Sequence, residues 1–404
     1  MCEHRRAINC IVPPHMLKAM AESDDPRVRE SALQTMLTSA RIRGQREVVG
    51  ALRNAFLINP VGEKHRSIYD ARGEFLSETQ LPGDLARDEG QPASSDETVN
   101  QVYDGLGLTY DLFAKVFGRN SIDGHGMRLV ATIHYGDGYN NAFWNGKQMV
   151  YGDGDDEVFQ SFTRSVDIMG HELTHGITEH LSGLEYHKQS GALNESFSDV
   201  FGSLVKQYAK KQNANQADWL IGAGIFAPGI NGVALRSMKE PGSAYDDPRL
   251  GGRDPQPKHM NDYQDLPDNE FGDFGGVHIN SGIPNHAFYL VAQQLGGKTY
   301  DGPAGHIWWQ TLSQLNVTSK FQDCANITFQ VAGARFGTGS IQQQAVKTAW
   351  DTVGVRITVP HPIAARAAKR YGAPPQYGAD GSELTNQIER LVTELRKAAE
   401  RLSV

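Results

Sequence analysis

Cysteine is scarce in this chain: three residues in 404, at Cys2, Cys10 and Cys324. Three thiols do not make a disulfide framework, so the fold must rest on its core and on any metal it holds. Long apolar runs are also missing. No stretch of about 18 apolar residues marks a membrane span. The N-terminus, MCEHRRAINCIVPPHM, puts charges and a Pro pair where a secretory hydrophobic region would lie. The reading is a chain that starts in the cytosol and leaves it, if at all, without a Sec signal. Positive charge is in deficit, with 39 Lys and Arg against 47 Asp and Glu for a net −8. With no basic face visible, nucleic acid is a poor partner. The GDGD and GAG runs lack the G-K-[ST] ending of a phosphate loop. What is present is a globular composition, 39% hydrophobic and 21% charged, long enough for two or three domains.

Texture divides the chain into stretches. Residues 1–55 form an N-terminal segment broken early by Pro13 and Pro14. From Pro26 to Leu57 its apolar residues (Leu33, Met36, Leu37) fall at helical spacing, which predicts helix. A helical appendage and a propeptide fit these residues equally. Residues 65–165 alternate in short runs, RSIYDARGEFL and RLVATIHYGDGYNNAFWNGKQMVYGDGD, and predict strands and hairpins around one helix, ETVNQVYDGLGLTYDLFAKVFG. Residues 166–355 read as mainly helical, with long Gly- and Pro-rich loops at 222–232, 241–256 and 267–276. Loops of that length in a compact domain are usually close to function. Residues 356–404 give a Pro- and Ala-rich linker and then a helix capped by Ser382. Its Leu384, Ile388, Leu391, Leu395, Ala398 and Leu402 follow a heptad seam that fits self-association and packing on the parent domain equally. The expected fold class is α+β, a β-rich N-terminal lobe and a helical C-terminal lobe with the helix at 166–181 on the cleft floor between them.

That helix opens the densest chemistry, VDIMGHELTHGITEHLSGLEYHKQSGALNESFSD, from Val166 to Asp199. His171 and His175 are i and i+4, so both imidazoles share a helix face and reach one metal ion. Glu195 on a second helix completes three protein ligands and leaves a fourth position open, as in a catalytic zinc site. H-E-x-x-H alone recurs by chance, but VDIM ahead of it makes this helix buried, and two buried imidazoles need partners. Asp199 and Asn194 are placed to accept the other ring N–H of each His. Further on, DFGGVHINSGIPNH sets His278 after a Gly-Gly turn, with Asp273 in reach to orient it.

With these residues in hand the chain resembles the thermolysin-like zinc metalloendopeptidases. The motifs NNAFWNGKQMVYGDGD, HELTH, EYHKQSGALNESFSD, LRSM and GGVHINSGI stand in the family's order across residues 65 to 355. The element VPPHMLKAM and the short segment around it resemble the protealysin-like subgroup, which implies that residues 1–55 are a propeptide. The resemblance implies zinc on His171, His175 and Glu195, with Glu172 as general base toward the zinc-bound water. Tyr186 and His278 would donate to the oxygen of the attacked carbonyl, with Asp273 holding His278. Asn141 and Ala142 would lie on an exposed edge strand that pairs with an extended substrate. Arg236 would bond a substrate carbonyl beyond the cut. Phe159, Phe162, Ile168 and Leu235 would wall an apolar pocket for the residue after the cut. The partners implied are extended peptide substrates and the chain's own N-terminal segment, removed by self-cleavage between about residues 48 and 66. Relatives of this kind act outside the cell, so the expected location is secreted, with the cytoplasm as alternative.

The resemblance falters at calcium. Asp167 matches a ligand of the family's interior double calcium site, but Lys206, Leu220 and Ala223 stand where acidic ligands are needed, so that site reads as lost. Lys206 is expected to replace the ion and pair with Asp167 or Asp218. Val233 removes a ligand from another calcium site, and Asp153, Asp155 and Asp156 read as an acidic surface turn. A structural metal in a non-enzymatic protein is the competing class; it has no use for Glu172. An exopeptidase is a third, disfavoured by the edge strand at Asn141 and Ala142.

Overall fold

The computed structural model describes residues 9–49 and 63–358. The helix expected over 380–404, nearly all of its linker and most of the cleavage window lie outside the described residues. Six strands share one sheet: β1 (Asn9–Cys10), β2 (Arg66–Asp70), β3 (Asp84–Asp88), β4 (Leu129–Ile133), β5 (Ala142–Trp144) and β6 (Met149–Tyr151). Their spatial order is β1-β5-β6-β4-β2-β3. The inner pairs β2·β4 and β4·β6 are parallel, and the outer pairs are antiparallel. A parallel pair requires a crossover.

The helices are α1 (Pro14–Ala21), α2 (Pro26–Val49), α3 (Glu97–Lys115), α4 (Val166–Leu181), α5 (Lys188–Lys210), α6 (Asp273–Asn280), α7 (Gly282–Leu295), α8 (Pro303–Leu312), α9 (Phe321–Phe336) and α10 (Ile341–Thr352). α3 supplies the β2-to-β4 crossover. Asp96 caps it by accepting from Thr98 N at 2.8 Å, and it buries Val99, Val102, Tyr103 and Leu106 on one face. In α4 every residue from Asp167 to Thr178 is buried, so this helix runs through the interior between the sheet and the C-terminal helices. The molecule is therefore a two-lobed α+β fold with α4 central.

Two glycines decide how closely α4 and α5 approach. A Cβ on Gly202 would stand 2.5 Å from the Asp167 carbonyl oxygen, and one on Gly170 would stand 2.9 Å from Val205 Cγ2. Only glycine lets the two backbones come this near. That crossing brings Glu195 on α5 against the His pair on α4.

The N-terminal segment packs into the body. Ile11, Val12, Met16, Leu17, Met20, Val28 and Ala32 join the main hydrophobic cluster, which extends to Val355. Cys10 and Ile42 join a smaller cluster with Tyr135, Tyr139 and Phe143. Each large apolar side chain so buried is worth about 1.5–3 kcal/mol. One expectation is corrected. The edge at Asn141 and Ala142 is not exposed: these residues retain 1% and 0% of their surface, because β1 pairs with β5. An open strand edge is a pairing template, and here the chain itself fills it.

Candidate metal centre and cleft

His171 and His175 project from α4 toward Glu195 of α5, and all three are buried. One ligand atom from each lies within 4.8 Å of the others. His171 Nδ1 is 2.8 Å from Asp199 Oδ1, a carboxylate oxygen that only accepts, so Nδ1 carries the proton. His175 Nδ1 donates likewise to Asn194 Oδ1 at 2.8 Å, while Asn194 Nδ2 donates to the Leu184 carbonyl at 3.2 Å, which fixes the amide's orientation. In the neutral tautomers this leaves each Nε2 a lone pair, and the two nitrogens face each other at 2.9 Å. Burial pulls the His175 pKa down to about 3, so the ring is neutral. Two facing lone pairs cannot make a hydrogen bond. Glu195 Oε1 and Oε2 each stand 3.5 Å from one of these nitrogens, and Oε2 has no hydrogen-bond partner. A cation answers all of these unpaired atoms at once, and two neutral imidazoles with one carboxylate are a zinc donor set that leaves a position open.

Glu172, between the two His in sequence, is fully buried. Its Oε2 accepts from Trp144 N at 3.1 Å, and its Oε1 has no hydrogen-bond partner. Burial raises its pKa well above the carboxylate range, with the Glu195 charge adding to the effect. Asp199 is a junction: besides His171, it accepts from Arg236 Nε at 2.9 Å, Arg236 Nη2 at 2.8 Å and Asn285 Nδ2 at 2.8 Å. Burial alone would raise this carboxyl, but Arg236 and His171 more than offset it and hold it well below its usual range.

Across the cleft, Asp273, Phe274, Gly275 and Gly276 take four successive positive φ values, 54°, 50°, 82° and 78°. Such a left-handed turn favours glycine. It folds Asp273 back so that Oδ2 accepts from His278 N at 2.8 Å and Oδ1 accepts from His278 Nδ1 at 2.5 Å. Burial lowers the His278 pKa, but Glu195 and Asp273 outweigh it and raise it to about 9. Its ring is thus a double donor at neutral pH. The Tyr186 hydroxyl is 3.2 Å from His278 Nε2 and donates to Glu195.

Three of the residues expected to bind substrate, Asn141, Ala142 and Arg236, are engaged by the N-terminal segment. Ile11 N donates to Ala142 O and Val12 N to Asn141 Oδ1, both at 3.1 Å. Arg236 Nη1 donates to Ile11 O at 3.1 Å, and His278 Nε2 donates to Cys10 O at 2.8 Å. Phe159, Phe162, Ile168 and Leu235 are buried in the cluster that contains Ile11. The sequence does not mark Asn285, the Trp144 amide, Cys10 or Ile11 as site residues, since each meets the site only through contacts between distant parts of the chain.

Away from the cleft, Lys206 Nζ is 2.7 Å from Asp167, 2.8 Å from Asp218 and 2.5 Å from the Leu220 carbonyl. Asp155 accepts backbone N–H groups of Glu157, Val158 and Phe159, and Asp153 pairs with His134.

Comparison with known proteins gives two family matches: "Thermolysin metallopeptidase, catalytic domain" over residues 59–179 and "Thermolysin metallopeptidase, alpha-helical domain" over residues 182–355. An "Extracellular metalloprotease" of Pectobacterium carotovorum subsp. carotovorum is 48% identical over 356 residues, 87% of this chain and 98% of the relative. "Protease PrtS" of Photorhabdus sp. (strain Az29) is 43% identical over 355 residues, 86% of this chain and 92% of the relative. Among solved structures, the precursor of protealysin, a metalloproteinase from Serratia proteamaculans, aligns with a TM-score of 0.76 at 48% identity, covering 86% of this chain and 99% of that one.

Proposed function

This chain belongs to the thermolysin family of metallopeptidases, in its protealysin-like branch, and is a zinc endopeptidase; from that premise we propose the role of each site residue and the zymogen form of the chain. His171, His175 and Glu195 hold the zinc, which when bound supplies Lewis acidity to a water and to a peptide carbonyl. Glu172 takes the proton from the attacking water and delivers it to the departing amine. Its support is the free Oε1 beside the His pair and a burial-raised pKa that suits a group which must both accept and release a proton. Tyr186 and a doubly protonated His278 donate to the carbonyl oxygen as its charge grows, and Asp273 keeps the His278 ring in place. Asn194 and Asp199 fix the ligand imidazoles.

Substrates lie extended along β5, bonded by Asn141 and Ala142, with Arg236 on the carbonyl after the cut. The apolar wall of Phe159, Phe162, Ile168 and Leu235 favours Leu, Ile, Phe or Val there, by only about 1–3 kcal/mol per methylene. The N-terminal segment, 1–55, is a propeptide that fills the cleft of the catalytic lobes, 65–165 and 166–355, until self-cleavage frees them. The enzyme acts outside the cell, as the names of its relatives indicate for them. The observation that carries this reading is the convergence of two unpaired Nε2 atoms and an unpaired carboxylate oxygen next to Glu172. The test is casein hydrolysis by the processed enzyme. A zinc chelator abolishes it and added zinc restores it; hydrolysis indifferent to the chelator refutes the reading.

Lys206 takes over the work of calcium at the interior site. Its ammonium answers the buried Asp167 and the exposed Asp218 in place of a divalent ion. The thermal half-life of zinc-loaded protein then changes little between added calcium and a calcium-selective chelator. Lys206→Ala leaves Asp167 buried and unpaired, at a cost of about 3–5 kcal/mol. A half-life that depends strongly on calcium contradicts this assignment.

A further inference from the structure

The N-terminal strand is held as a substrate would be, in direction and in register. β1 runs antiparallel to β5, pairing Cys10 with Phe143. The chain then continues through Ile11 and Val12 to Pro13. Four hydrogen bonds set its position: Cys10 O from His278, Ile11 N to Ala142 O, Ile11 O from Arg236 and Val12 N to Asn141 Oδ1. Each of these four partners is a residue assigned above to the peptide being cut. A segment that only blocked the cleft could lie in either direction and at any offset. This one places the Cys10 carbonyl against the residue that polarises the carbonyl to be attacked. Ile11 itself is fully buried, in the main hydrophobic cluster that also holds the apolar residues assigned to the position after the cut.

We propose that Cys10–Ile11 is a self-cleavage site, hydrolysed within the same molecule. The proposal rests on the site roles given above. Water adds its oxygen to the Cys10 carbonyl carbon and the bond to the Ile11 nitrogen breaks. Cys10 leaves as a carboxylate, and Ile11 ends as an ammonium that has gained both hydrogens of the water, one of them carried by Glu172. The segment after the cut stays anchored. Ser31 Oγ donates to the Gly138 carbonyl at 2.9 Å, Arg43 pairs with Glu270, and His15 Nε2 meets the Tyr245 hydroxyl at 2.8 Å. Loss of Met1–Cys10 is thus a separate event from the cut between residues 48 and 66 that frees the whole segment. It removes one strand of the sheet and leaves the helices in place.

The test begins with metal-free full-length chain. In that state the Ile11 and Val12 amides exchange at least about 100-fold slower than in a synthetic peptide spanning Arg5–Lys18, as their hydrogen bonds require; exchange at the peptide's rate overturns the register. Zinc is then added and fragments are followed by intact mass and N-terminal sequencing. The parent yields a new N-terminus at Ile11, with a first-order rate unchanged over a tenfold range of protein concentration, and Glu172→Gln yields none. The processed enzyme also cuts the Arg5–Lys18 peptide between Cys and Ile. A parent that hydrolyses casein but never shows an Ile11 terminus overturns this proposal and leaves the endopeptidase roles standing. A rate proportional to protein concentration overturns cutting within one molecule. Failure on casein as well refutes both readings.

Discussion

Replacing Glu172 with Gln lowers kcat/KM on a peptide substrate by about 10²- to 10⁴-fold, the range for losing a positioned general base, and leaves the N-terminal segment uncut. Gln keeps the shape and the acceptor for Trp144 N but cannot take a proton. The substitution also removes a buried carboxylate with one unpaired oxygen, a group whose ionised form is costly to bury. The inactive variant is therefore at least as stable as the parent when metal-free. Activity and melting temperature should move in opposite directions, as expected where a site is tuned for chemistry rather than stability. Measuring kcat/KM and Tm on the same preparations tests both halves. Retention of more than a tenth of the parent's activity removes Glu172 from the base role.

Asp199→Ala has the second large effect, and it acts on fold and metal together. The carboxylate joins His171 to Arg236 and Asn285 in a fully buried cluster. Without it the Arg236 guanidinium is buried opposite no charge, which costs about 3–5 kcal/mol. The His171 ring also loses the acceptor that fixes its tautomer, a change that typically weakens metal binding by 10- to 100-fold. Denaturant unfolding of the metal-free protein reads the first effect, and zinc competition with a chelator of known affinity reads the second. Asp199→Asn separates them, since an amide oxygen still accepts from the imidazole but offers Arg236 no charge. Unchanged zinc affinity in Asp199→Ala would show that His171 is oriented by something else.

What the sequence made legible was local. HELTH gave its geometry away because an i, i+4 pair on a helix needs no tertiary information, and VDIM ahead of it marked α4 as buried. The Gly-Gly before His278 announced a turned backbone, which the left-handed run from Asp273 to Gly276 bears out. The Lys206 pairing came from the family resemblance, which sets Lys206 where an acidic calcium ligand beside Asp167 would stand, and both Asp167 and Asp218 are in contact with it. What stayed illegible was non-local. Pro13 and Pro14 read as a break, yet Pro14 is the first residue of α1, a position where its missing N–H costs nothing. β1 is two residues long and owes its existence to β5, more than 130 positions away; no periodicity in Asn9–Cys10 could announce it. The resemblance implies the N-terminal segment as a partner of the cleft, but not which of its residues pair with the edge strand. The segments at 222–232 and 241–256 read as loops because the two-residue strands they border or contain (Leu220–Ile221, Asp246–Asp247, Gly252–Arg253) are too short to show alternation.

Every role proposed for the cleft depends on one zinc ion held by His171, His175 and Glu195, with Glu172 beside it and not bound to it. Zinc content per chain after exhaustive dialysis tests this most directly. The expected result is one zinc per chain in the parent and in Glu172→Gln, and far less in folded His175→Ala. Zinc retained in full by His175→Ala, or lost from Glu172→Gln, would contradict it.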